Sequence, residues 1–176
     1  MKKRVAALLC AVLLLWAASA CAASYTAKVD GSALFTLRYD DKNYQLDQYS
    51  YLGSSINGTW FFILYDDERS IDCGMEYTDR GAGMTLRGAD QAALSAYADA
   101  VCLATGGSVV ETYHVGGQPF VIVSARHPGT GNVYYAETIV GGSAVYFEVY
   151  NLRTGEADTG CLSALKDVLN GFTSLQ

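Results

Sequence analysis

The sequence is short of histidine and proline, and past its first four residues it has no clustered positive charge. Its two histidines, His114 and His127, form no His-x-x-x-His pair and no Cys-x-x-Cys accompanies them, so the usual zinc frameworks are excluded. With two prolines and no repeat or low-complexity tract, no linker divides the chain. Of 12 basic residues, Lys2, Lys3 and Arg4 sit at the start, which leaves 9 against 18 acidic residues. Nucleic-acid phosphates are bound by clustered Lys and Arg that release counterions, so nucleic acid is not an expected partner. The same balance disfavours an anionic lipid surface. No Gly-x-Ser-x-Gly elbow occurs: Gly141-Gly142-Ser143-Ala144-Val145 lacks the last glycine and falls in a predicted hairpin. Gly129-Thr130-Gly131-Asn132 has a turn's glycines without the lysine of a phosphate loop.

What is present begins with an export signal. Met1-Lys2-Lys3-Arg4 forms a positive n-region and Val5 to Ala18 an uninterrupted apolar run. As a helix those residues would span roughly 21 Å, short of the roughly 30 Å hydrocarbon core, so a cleavable signal over residues 1–20 is expected rather than an anchor. Small residues allow a cut before Cys21 or after Ala22. Ala18-Ser19-Ala20-Cys21 resembles a lipobox but has Ala18 where Leu is usual, so lipidation of Cys21 and free secretion both stay open. A lipid on Cys21 would be the one route to a membrane. Residues 24–176 are expected to form a single globular domain outside the cytoplasm.

Of five cysteines, Cys10 leaves with the signal and Cys21 lies at the cut. Cys73, Cys102 and Cys161 remain, enough for one disulfide with one thiol left over. Cys102 and Cys161 both fall on predicted helices, which favours that pair. Three buried free thiols are the other reading.

Strand-like runs at Tyr25–Val29 and Ala33–Tyr39 flank Asp30-Gly31, a hairpin signal. Trp60–Tyr65 is almost wholly apolar and predicts a strand covered on both faces. Asp66-Asp67-Glu68-Arg69 reads as a turn, then a strand over Ser70–Thr78 places Ile71, Cys73 and Met75 on one side. A helix is expected over Ala89–Thr105, capped by Asp90, stopped by Gly106-Gly107 and striped with Leu94, Tyr97, Ala98 and Val101. Four strands with glycine-rich connections follow, Ser108–Val115, Pro119–Ala125, Val133–Val140 and Ala144–Leu152, predicting an antiparallel meander. A last helix over Asp158–Phe172 buries Cys161, Leu165, Val168, Leu169 and Phe172.

In this order the chain resembles the bacterial PsbP-like secreted proteins and lipoproteins. The matching residues are Phe35-Thr36-Leu37-Arg38-Tyr39, Pro119-Phe120-Val121-Ile122-Val123, Val133-Tyr134-Tyr135-Ala136-Glu137, Ala144-Val145-Tyr146-Phe147-Glu148-Val149 and Leu165 to Phe172. The resemblance implies an α+β fold, an antiparallel sheet flanked by helices as an α/β/α sandwich, and brings no catalytic constellation.

The expected function is therefore an exported envelope or secreted binding module, without cofactor, whose partner is a protein or a cell-wall component. The alternative is a thiol-dependent hydrolase or redox enzyme using Cys73 or Cys102 with His114, because a thiol needs a basic neighbour to become nucleophilic. A structural assembly subunit, recognisable as an oligomer, is a third reading. The carboxylate groups Asp66, Asp67, Glu68 and Asp72, and Asp40-Asp41, lack the spacing of a calcium loop and read as solvated hairpin ends.

Overall fold

The computed structural model describes residues 22–48, 54–55, 58–76, 85–127 and 131–176. Residues 1–20, where a signal is expected, Cys21 and the Gly81-Ala82-Gly83 break lie outside them. Eleven strands occur among the described residues: β1 Ala22–Val29, β2 Ser32–Asp40, β3 Gln45–Gln48, β4 Ser54–Ser55, β5 Gly58–Tyr65, β6 Arg69–Glu76, β7 Ser108–Val115, β8 Gln118–His127, β9 Gly131–Val140, β10 Ser143–Asn151 and β11 Phe172–Ser174. Two helices accompany them, α1 Gln91–Thr105 and α2 Thr159–Leu169.

Eight strands form one antiparallel sheet in the order β3-β5-β6-β10-β9-β8-β7, with β4 also paired to β5. The meander β7 to β10 is antiparallel as expected, and Gly116-Gly117 and Gly141-Gly142 close its first and last hairpins at positive φ. The helices cover opposite faces of this sheet. On one face α1 buries Leu94, Tyr97, Ala98 and Val101 against Val121, Val123 and Val133. Asp90 caps α1 by accepting from the Ala93 N–H at 2.8 Å, and Gly106 ends it in the left-handed region.

The second face differs from a plain α/β/α sandwich, because α2 shares it with a three-stranded sheet ordered β1-β2-β11. Asp30 and Gly31 both take positive φ in the β1–β2 turn, as the Asp-Gly signal requires. Only one face of that hairpin is apolar. It lays Ala27, Leu34, Phe35 and Leu37 on the core and leaves Lys28 and Arg38 in solvent. Phe147 is the centre of this layer, with the rings of Phe35, Phe62, Phe120 and Phe172 at 6.4, 6.3, 6.1 and 6.2 Å.

Two expectations need correction. Phe172 belongs to β11, since α2 ends at Leu169 with Asn170 as its cap and the chain turns to pair with β2 through Phe172 and Leu37. Gly171 permits the turn: any side chain there would strike the Arg38 carbonyl. Strand β5 is covered fully on one face alone, where Phe62 and Leu64 are buried, while Ile63 and Tyr65 are half-buried on the other. A bulge between Trp60 and Phe62 turns Phe61 into the core as well, onto Phe35 at 5.5 Å.

Candidate functional site

Toward the β3 end of the large sheet, the turn that carries the chain from β2 to β3 between the two sheets, the β5–β6 hairpin turn and the end of α2 enclose an open cleft of about 610 Å³. Its walls are Tyr39 and Asp40 from β2, Asn43 and Tyr44 from the following turn, Asp66, Asp67 and Glu68 between β5 and β6, and Asp167 and Val168 from α2. Five of these nine residues carry carboxylates.

Each turn is built by an aspartate that holds its own backbone. The Asp40 carbonyl accepts from the Asn43 and Tyr44 N–H groups at 3.2 and 2.9 Å. Its carboxylate accepts from the Lys42 N–H at 3.0 Å and the Asn43 amide at 2.8 Å. Asp66 likewise accepts from the Glu68 and Arg69 N–H groups at 2.7 and 2.6 Å. Pairing of β3 with β5 sets these turns side by side, because Gln45 lies opposite Tyr65.

Arg69, which follows the β5–β6 turn, pairs with two of these carboxylates, its guanidinium 3.4 Å from Asp66 and 3.0 Å from Glu68. Burial acts to lower its pKa, but Asp66, Glu68 and Asp158 outweigh that and hold the charge more firmly. The acidic field also reaches the tyrosines. Burial first, then Asp66 and Asp167, push the Tyr44 phenol above its ordinary value, and burial with Asp41 does the same to Tyr39. Both rings therefore stay neutral at physiological pH and offer flat faces and hydroxyls beside the carboxylates. Sequence reading found Asp40 and Asp66-Asp67-Glu68 only as separate hairpin ends. It missed Tyr39, Asn43, Tyr44 and Asp167, which reach the cleft through strand order.

The thiol constellations do not assemble. Cys73 lies fully buried on β6 and His114 is exposed on β7, four strand positions away, or roughly 19 Å across the sheet. Burial above all, with Asp72 beside it, pushes the Cys73 thiol well up, away from the thiolate. Cys102 meets the backbone of Val109 at the start of β7, whereas His114 stands five residues further along, roughly 16 Å away. Burial and Asp99 raise the Cys102 thiol too.

The favoured Cys102–Cys161 disulfide is also overturned. Cys73, Cys102 and Cys161 are free thiols, and Cys102 packs on the α1 side while Cys161 is buried on the α2 side, so the large sheet stands between them. Ser143 opens β10 directly after the Gly141-Gly142 hairpin turn and sits on no strand-to-helix elbow. Asp72 points along β6 with Ser70, whose hydroxyl donates to it at 2.6 Å. Among the described residues no group of three or more His, Cys, Asp or Glu is arranged to hold a metal ion. No described helix is long and apolar enough to cross a membrane.

The sequence reading also missed a buried carboxylate. Glu137 on β9 is fully enclosed and accepts from Tyr97 of α1 at 2.6 Å and from Tyr135 at 2.7 Å. The Tyr97 hydroxyl ties α1 to the sheet and the Tyr135 hydroxyl, from β9 itself, pairs the second carboxylate oxygen, so the buried charge has the partners that burial requires.

No protein-family model and no curated protein matches the chain. Among solved structures it is similar to the solution structure of cyanobacterial PsbP (CyanoP) from Synechocystis sp. PCC 6803, at 11% sequence identity, over 88% of this chain and 93% of that one, with a TM-score of 0.46.

Proposed function

We propose that the protein is an exported, non-enzymatic binding module that grips a cationic segment of a partner protein in the acidic cleft. In this reading residues 1–20 are removed by a cut before Cys21 or after Ala22, and residues 24–176 act as one unit, free or lipid-anchored through Cys21. The supporting observation is the gathering of Asp40, Asp66, Asp67, Glu68 and Asp167 with Tyr39 and Tyr44 around one open cavity. Lysine and arginine side chains meet both features, because carboxylates pair with the charge and tyrosine faces attract cations. An open, polar cleft suits a solvated peptide better than an apolar small molecule, whose sites are enclosed and greasy.

The test is a titration of hexalysine peptide against the wild type and the variant Asp67→Asn/Glu68→Gln/Asp167→Asn. Exposed ion pairs contribute roughly 0.2 to 1 kcal/mol each, so the triple change should weaken binding about 10-fold. Equal binding by both proteins, or none by the wild type at millimolar peptide, removes the cleft from the proposal. Intact mass of the native product checks the export half: a chain that retains residues 1–20 defeats it.

A further inference from the structure

The large sheet ends unequally. At one side β3 is four residues long and bordered by the acidic cleft; at the other β7 presents eight residues and bonds only to β8 among the described strands. The free side of β7 is defined by its hairpin. Gly116 and Gly117, both with positive φ, make a two-residue turn that closes on Val115 and Gln118 as a hydrogen-bonded pair. Alternation then turns Tyr113 and Glu111 inward to β8, and the N–H and C=O groups of Thr112 and His114 outward. The Pro119 carbonyl, opposite His114, agrees: it accepts from Thr138 on β9 at 2.7 Å and so faces away from β7.

Exposed apolar surface collects beside this edge. Leu103 at the end of α1 is 88% exposed, and Val109 and Val110 of β7 are 47% and 39% exposed. The remaining large exposed hydrophobics of the described residues, Leu152 and Leu175, lie just past the ends of β10 and β11. A bulge between Val109 and Glu111 bends the start of this edge, so the regular part of it runs from Glu111 to Val115, where charge is balanced. Lys166 of α2 pairs with Glu111 at 2.5 Å and lies over the Tyr113 ring, whose hydroxyl donates to Asn170 at 2.7 Å.

We infer that β7 is a dimer interface, pairing antiparallel with β7 of a second copy so that two sheets become one. Charge selects this occupant. The chain as a whole is acidic, and two copies repel except where their carboxylates are distant or neutralised. On β7 the single carboxylate, Glu111, is matched by Lys166; of the cleft's carboxylates only Asp167 stands on the helix that reaches β7, and the others come from β2 and the β5–β6 turn. An antiparallel, isologous pairing lets the outward groups of Thr112 and His114 satisfy their counterparts, with Leu103, Val109 and Val110 flanking the seam.

Sedimentation equilibrium of the purified protein tests this at up to about 200 μM, above the micromolar Kd that a small interface gives. The expected result is a mass that doubles with concentration. Thr112→Pro removes an outward N–H and blocks the edge while sparing the inward bonds to β8, so it should yield monomer that melts where the wild type does when diluted below its dimer Kd. Val110→Lys leaves every backbone group in place and should do the same by charge, and both variants should bind hexalysine as the wild type does. A wild type that stays monomeric throughout, or a dimer that persists in a folded Val110→Lys variant, overturns the inference.

Discussion

Single residues in this protein carry constraints that neither burial nor propensity announces. Gly171 lies between α2 and β11 with its backbone against β2: its carbonyl accepts from the Arg38 N–H at 2.9 Å, and a Cβ would collide with the Arg38 carbonyl oxygen. Both colliding partners are backbone, so nothing flexible can yield. Gly31 is the useful contrast, because its φ of 82° favours glycine while nothing lies within 4 Å of where a Cβ would stand. Gly171→Ala is therefore expected to cost about 3 kcal/mol through overpacking, and Gly31→Ala about 1 kcal/mol through backbone strain alone. Urea denaturation of the two variants checks the order, and an equal loss in both would show that the β2–β11 contact yields. Gly31 was legible as half of an Asp-Gly turn. Gly171 was not, since its need for glycine comes from a strand more than a hundred residues earlier.

Elements were legible where a local signal and the tertiary packing agree. α1 has an N-cap, a 3.6-residue stripe and a glycine stop, and it forms over nearly the expected residues. The start of α2 was legible for the same reason, but its end was not: Phe172 continues the helical stripe by spacing and is claimed by the edge of β2 instead. For the candidate site, each acidic turn could be read singly, and their meeting could not, because it depends on β3 pairing with β5 rather than with its nearer neighbour β2. The α2 start also carries a pH dependence. Asp158 accepts from the Gly160 and Cys161 N–H groups at 2.8 and 3.0 Å and from the Asn151 amide at 3.0 Å. The Asn151 bond first, then the Cys161 N–H, hold its pKa below the ordinary 3.8. A carboxylate depressed on folding stabilises above its unfolded pKa and loses that contribution as pH falls through the lower folded value. Asp158→Ala should therefore melt below the wild type at neutral pH, and the gap should close as the pH drops beneath 3.8. Melting curves between pH 7 and about 2.5 check the sign, and a gap that widens in acid would show that the cap is not the ionised carboxylate.

At the scale of the whole molecule, the two proposed contacts differ in charge. The formal charge is −6, and removal of Lys2, Lys3 and Arg4 in the proposed export reading would take it to −9, so two copies repel wherever their acids are exposed. β7 escapes that repulsion and the cleft concentrates it. Six strand spacings separate β3 from β7, roughly 29 Å, so pairing through β7 would leave the β3 edge of each copy facing outward. The two contacts should then answer salt in opposite directions. Screening lengths fall from about 14 Å at 50 mM to about 4 Å at 500 mM, which weakens attraction between solvent-exposed charges and equally weakens repulsion between two acidic bodies. Hexalysine binding is expected to fall about 10-fold or more over that range, while the dimer holds or tightens. Peptide titration and sedimentation on one preparation at both salt concentrations measure the pair. Weakening of the dimer in parallel with the peptide would mean that ionic contacts, not backbone pairing beside Val109 and Val110, join the two copies.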